Sequence, residues 1–225
     1  MNPIYIPTSN AAQWAQFLAE PVKQWRTGFS ARTLAHSWQE AQGFPLEVRE
    51  ALAAAQPFSG IELLLALPEH QVALPGGSRP SQNDIWVLAR AGTSLVSIAV
   101  EGKVAETFGP TLEEWLTEGS PGKTARLDFL FSELGLCEPV PGSIRYQLLH
   151  RAASAVIEAK RFCATHAVML VHSFSQSQQW FQDYAAFGAL FGVQVVVNRV
   201  AYVGMVGGVH LHLCWVCGNV QYLSK

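Results

Sequence analysis

Charge is scarce in this chain. Of its 225 residues only 14% are Asp, Glu, Lys or Arg, while 49% are hydrophobic. The 15 basic and 17 acidic residues leave a formal charge of −2. No global basic field therefore advertises a nucleic-acid partner, and any polyanion would need a local groove. Long apolar runs are also missing, and no window approaches the ~18 residues of a membrane helix. The opening "MNPIYIPTSNAAQW" lacks the basic and apolar regions of a secretory leader. Four cysteines, Cys137, Cys163, Cys214 and Cys217, are too few for a disulfide framework in a chain of this size. These absences predict a cytoplasmic protein without a membrane partner, large enough to bury a real core.

What is present divides into three parts. Residues 1–60 read as helices: "NAAQWAQFLAE" after Ser9, "SARTLAHSWQEAQG" from Ser30 to Gly43, and "PLEVREALAAA" opened by Pro45. "IELLLAL" fits a short buried helix or a strand, and its periodicity does not choose. "EHQVAL" then reads as a strand, "PGGSRPSQN" as a turn, and "DIWVLARAG" with "TSLVSIAVEGKV" as a hairpin about Ala91 and Gly92. Helices follow in "TLEEWLTEG", in "PGKTARLDFLFSELGL" capped by Ser120, and over about 143–165. "AVMLVHSF" has the continuous apolar run of a central strand. After it come a helix, "SQQWFQDYAAFGALFG", and a β-rich tail, "VQVVVNRVAYVGMVGGVHLHLCWVCG". With no linker or repeat, residues 1–225 read as one mixed α/β domain with its core at about 61–200 and its tail at 200–225.

The chemistry-bearing pattern centres on Glu101-Gly102-Lys103. Strand periodicity puts Glu101 and Lys103 on one face. If the two strands pair about Gly92, Asp84 at the start of the first comes beside Glu101 at the end of the second. Two converging carboxylates can hold a hard divalent cation, which would polarise a phosphoryl oxygen and acidify a bound water. Lys103 could act on that water or stabilise developing negative charge. The alternative is a strand-end ion pair of little energetic weight. Glu158-Ala159-Lys160 repeats the spacing on a helix, where the two residues do not share a face and read as solvated charges.

Asp84 followed by Glu101-Gly102-Lys103 resembles the signature of the PD-(D/E)XK, or restriction-endonuclease-like, nucleases. That resemblance implies a three-layer sandwich, with a mixed central sheet between helices built from a helix, three meandering strands, a helix and a fourth strand. It implies magnesium or manganese on Asp84 and Glu101, and Lys103 assisting the attacking water. A further carboxylate is expected from the first core helix, with Glu62 the first choice and Glu69 and Glu47 behind it. No proline immediately precedes Asp84; Pro80 stands four residues earlier. The whole chain also resembles a bacterial family recognisable by "PEHQVALPGGSRPSQND", "VEGKVAETFGPT" and "RYQLLHRAASAVIEAKRF", a likeness that brings no activity with it.

Supporting groups are expected on the helix "RYQLLHRAASAVIEAKRF". Gln147, Arg151, Ser154 and Glu158 recur on one side of it, with His150 adjacent and an apolar face opposite. The resemblance implies that Gln147, His150, Arg151 and the preceding Arg145 could contact a phosphate; the plain reading is a wet helix face. Ser81 and Gln82 are further polar candidates in a loop that could close over the site. His210, His212, Cys214 and Cys217 suggest zinc, but strand alternation sends the two cysteines to opposite faces and buried thiols are favoured. The seven tryptophans lack interleaved basic residues and read as core or interface anchors. Three function classes remain open: a nuclease acting on nucleic acid in a local groove, a catalytically inactive binding or regulatory protein of the same fold, and a metal-dependent hydrolase of small molecules. A homodimer fits the apolar composition and the β-rich tail.

Overall fold

The computed structural model describes residues 8–137 and 139–225; residues 1–7, the first half of the opening "MNPIYIPTSNAAQW", lie outside the described residues. The chain is mixed α/β, built on a six-stranded mixed sheet with order β1-β2-β3-β4-β6-β5. The strands are β1 Glu62–Val72, β2 Ser81–Ala91, β3 Ser94–Lys103, β4 His166–Ser173, β5 Val200–Val206 and β6 Val209–Cys217. β1, β2 and β3 form an antiparallel meander, β3, β4 and β6 run parallel, and β5 returns antiparallel along β6. The helices are α1 Pro21–Gln24, α2 Ser30–Ala41, α3 Leu46–Ala53, α4 Leu112–Leu116, α5 Pro121–Leu134, α6 Tyr146–Arg161 and α7 Phe181–Ala189.

Each face of the sheet is covered. Trp14, Leu34, Trp38, Val48, Leu52 and Phe58 of the N-terminal segment pack on Ile85, Ile98, Val100, Leu170 and Val216. On the other face α5, α6 and α7 cover Ala99, Met169, Val171, Leu213 and Trp215. Burial from both sides explains the nearly unbroken apolar runs of β3 and β4.

Local signals account for several elements. Thr111 and Glu114 form a reciprocal capping box on α4. Ser120, Pro121 and left-handed Gly135 bound α5. Gly92 at φ +59° opens the two-residue connection between β2 and β3.

Elsewhere the structure differs from the expectation. "IELLLAL" and "EHQVAL" are one continuous strand, β1, which carries Pro68 as the sheet's edge strand can. "NAAQWAQFLAE" forms a 3₁₀ helix, Ala11–Phe17, capped by Asn10 rather than Ser9, and Pro21 opens the short α1. "VQVVV" makes a single bridge, Val197 to Trp215, instead of a strand.

Candidate active site at the carboxyl end of the sheet

The carboxyl ends of β3, β4 and β6 lie side by side, with Lys103 paired to Ser173 and Ser173 to Cys217. Ile85 pairs with Val100, which brings Asp84 beside Glu101 at this end. Asp84 Oδ2 accepts the Gly102 backbone N–H at 2.7 Å. The glycine has a local reason, because a Cβ at 102 would stand 3.1 Å from Leu34 Cδ2 and 3.3 Å from Asp84 Oδ2.

Glu101 is the hub. Its Oε1 accepts from Lys103 Nζ at 2.7 Å and from Gln147 Nε2 at 2.8 Å, and its Oε2 accepts from Arg151 Nε at 2.6 Å. Glu101 and Lys103 share a face as strand periodicity predicts, but both are buried. Burial opposes ionisation of Glu101, yet the Lys103 and Arg151 charges outweigh it and draw the carboxyl down to about 2. Lys103 also accompanies Gln147 Oε1 at 3.3 Å and lies 4.8 Å from the Phe108 ring centroid.

Gln147 and Arg151 sit one turn apart on α6, so both reach the same carboxylate. Arg151 Nη1 donates to Ser81 Oγ at 3.1 Å, and Ser81 Oγ lies 2.8 Å from His150 Nδ1. Burial first, then the Arg151 charge, holds His150 well below its ordinary pKa and neutral. The stripe that read as a wet helix face is in fact covered: Arg151, Ser154 and Glu158 are all buried. Glu158, read as a solvated charge, faces His70 at 3.3 Å and Arg161 at 3.5 Å.

The third carboxylate at the cluster is Glu69, from β1 rather than from a helix. Pro68 pairs with Ile85 and His70 with Asn83, so Glu69 lies across from Asp84, with a left-handed φ of +53°. Its Oε2 accepts from Gln82 Nε2 at 2.7 Å. Burial, and then the neighbouring Asp84 charge, raise the Glu69 pKa to about 8. Burial, followed by the Glu101 charge, raises Asp84 to about 7.

Three expected residues stand elsewhere. Glu62 lies at the opposite end of β1, exposed and paired with Arg90 at 2.6 Å. Glu47 holds His172 Nε2 at 3.2 Å and the Asn219 N–H at 3.1 Å, tying α3 to β4 and the tail. Arg145 is committed to Asp183 at 2.7 Å and to the Gly109 carbonyl at 2.8 Å, anchoring the start of α6 to α7. Arg126 holds the start of the "PGGSRPSQN" loop by donating to the carbonyls of Leu74, Pro75 and Gly77, and Ser81 and Gln82 at its end open strand β2. Cys214 is buried in the core, where desolvation pushes its thiol up to about 12, and Cys217 is partly exposed on the other face.

One contributor was missed by sequence reasoning. Glu106 accepts the N–H groups of Ser30, Val104 and Ala105 and so caps α2 from a distance. A remote cap leaves no local motif, and only the absence of a capping side chain before Ser30 hints at it.

These residues line an open cleft of about 470 Å³, floored by Glu69, Gln82, Asp84, Glu101, Gln147 and Arg151 and walled by Glu106, Lys23, Gln24 and Phe29. Four carboxyl groups and two cations line the cleft. Glu69 at about 8 is largely protonated at neutral pH and Asp84 at about 7 is half so, while the Glu101 charge is paired with Lys103 and Arg151. Among the described residues no group of three or more His, Cys, Asp or Glu side chains is arranged to hold a metal ion. The donor set still suits magnesium, which keeps several waters and uses one or two carboxylates. Asp84 and Glu69 each have one oxygen outside the hydrogen bonds found among the described residues, whereas both Glu101 oxygens are engaged.

Fold and site together define a mixed α/β protein with a buried ion-pair cluster opening on an acidic cleft at the carboxyl end of its parallel strands. The chain belongs to the family described as Domain of unknown function (DUF6946), whose model matches residues 7–220. No curated protein and no solved structure gives a match. Among the described residues no helix is long and apolar enough to cross a membrane.

Proposed function

We propose that the chain is a metal-dependent phosphodiesterase acting on nucleic acid, with a sheet of the restriction-endonuclease-like kind. The observation that carries this reading is the convergence of Asp84, Glu69, Glu101 and Arg151 on one cleft, with Lys103 buried behind Glu101. The strand order supports it: an antiparallel meander followed by a helical crossover to a parallel strand is what that architecture requires.

Asp84 and Glu69 would hold magnesium or manganese, with water filling the remaining positions. The bound ion would supply Lewis-acid stabilisation and a water of lowered pKa. Glu101 fixes Lys103 and Arg151 as two oriented cations, of which Arg151 lines the cleft and would meet a phosphate as it gains negative charge. Gln147 and Arg151 line the cleft and position the phosphate, while Ser81 and neutral His150 set the Arg151 fork.

A second reading has an observation in its favour. The cleft holds more acids than bases and Glu101 is saturated, as in a protein of this fold that binds a partner without turnover. The two are separated by incubating labelled DNA and RNA, single-stranded and duplex, with magnesium or manganese. Wild type should cut at least one of these substrates. Asp84→Asn, with the fold intact by circular dichroism, should lose activity by roughly 100-fold. A folded wild type that cuts nothing and shows no manganese binding by calorimetry leaves the binding reading standing.

A further inference from the structure

We infer that the substrate of this cleft is a single strand and not a duplex, with its scissile phosphate at Gln147 and Arg151 and a flanking nucleotide on either side. The inference rests on the hydrolytic reading above. Its main observation is that the cleft has two lobes. A second recess, also of about 470 Å³, is lined by Pro80, Phe108, Pro110, Tyr146 and His150. It shares Gln82, Glu106, Gln147 and Arg151 with the acidic lobe. Those four side chains form a polar wall with a recess on each side. Sites for small organic ligands run to roughly 300–1,000 Å³, so each lobe takes one nucleotide-sized unit.

The shared wall offers a phosphate one cation, Arg151, beside the Glu106 carboxylate whose charge three backbone N–H groups stabilise. Arg151 is 7% exposed and buttressed by Glu101 and Ser81, and it still lines both recesses. The lobes differ in what lies beyond the phosphate. Phe29, 40% exposed, stands at the mouth of the acidic lobe. In the other lobe Tyr146 is buried, stacked on Trp115 at 4.1 Å and packed by His150 at 4.8 Å between centroids. The acidic lobe is therefore the one that offers an exposed ring to a base turned out of a stack.

Electrostatics argue against a duplex. Duplex affinity comes from neutralising several phosphates along a rod, and among the described residues only two Lys or Arg side chains, Lys23 and Arg151, line the two recesses. Lys23 pairs with Glu20, Arg145 with Asp183, and Arg126 with three backbone carbonyls. A rigid duplex also keeps its bases stacked inside, so it cannot place one nucleotide in each of two recesses, whereas a flexible strand can.

The test uses one labelled sequence as a single strand and as its annealed duplex, with manganese, for wild type and Phe29→Ala. The single strand should be cut roughly tenfold faster or more at sub-saturating concentration, the worth of one base stack. Phe29→Ala should raise KM for the single strand severalfold, with kcat and melting temperature unchanged. Equal or faster cutting of the duplex overturns the strand preference and leaves hydrolysis standing. A Phe29→Ala variant kinetically identical to wild type overturns the placement of a flanking base in the acidic lobe. If neither form is cut by a protein that binds manganese, the hydrolytic reading falls and this inference falls with it.

Discussion

At Glu101 the three bonds to Lys103, Gln147 and Arg151 have an energetic meaning that an exposed strand-end pair would lack. Two cations and a carboxylate are all taken from water, and each is tolerable only while the others remain. Glu101→Gln keeps the shape but leaves Lys103 and Arg151 facing a neutral amide. It should destabilise the fold by about 3 kcal/mol or more, read as a drop in the urea midpoint at constant slope. A loss below about 1 kcal/mol would show instead that the pair behaves as a surface contact. The adjacency of Glu101 and Lys103 was legible because strand periodicity is short-range, and that of Asp84 because the turn at Gly92 sets the register. Glu69 was harder to read. Choosing it over Glu62 needs the full length of β1, since seven strand residues at about 3.3 Å each carry the chain roughly 20 Å.

Among the elements, the legible ones are those whose signals are local. α5 announces itself with Ser120, Pro121 and Gly135, and β4 with its apolar run. α6 was legible as a helix, but its polar stripe misleads: amphipathicity says that two faces differ, not that the polar one meets water. The stripe turns inward because Glu101 and His70 offer it partners. "VQVVV" has strand propensity but little left to pair with. β6 is flanked by β4 and, up to Cys214, by β5. The loop between β1 and β2 is held by a backbone approach that the sequence shows only as glycines. A Cβ at Gly76 would fall 2.0 Å from the Gly122 carbonyl oxygen, and its φ of +76° already favours glycine. Gly76→Ala should therefore cost about 2 kcal/mol or more and lower the melting temperature. The same change at Gly60, where φ is +66° and nothing lies within 4 Å, isolates the backbone cost alone.

Across the whole molecule, burial of ionisable groups makes stability depend on pH with two opposed signs. His150, His166, His172 and His212 all have pKa values lowered chiefly by burial, so they favour the folded state in their neutral form. Their contribution is present above the ordinary value of 6.5 and is lost as the pH falls. Asp84 and Glu69 have the opposite sense. Their folded pKa values of about 7 and about 8 exceed the ordinary 3.8 and 4.5, so the stability they lend is full below those ordinary values and is lost as the pH rises through 7 and 8. Stability should therefore peak near neutrality and fall by on the order of 1–2 kcal/mol between about pH 6.5 and 8. Denaturant melts across that range check the slope, and the Asp84→Asn, Glu69→Gln double variant should flatten it. Magnesium or manganese added at the alkaline end should restore stability to wild type and not to the double variant, since a ligand that binds only the folded state stabilises by mass action. A wild-type curve that stays level from neutrality to pH 8 would mean that the two carboxyls are separated by water. The cleft would then lack the crowding of negative charge on which the proposed cation site rests.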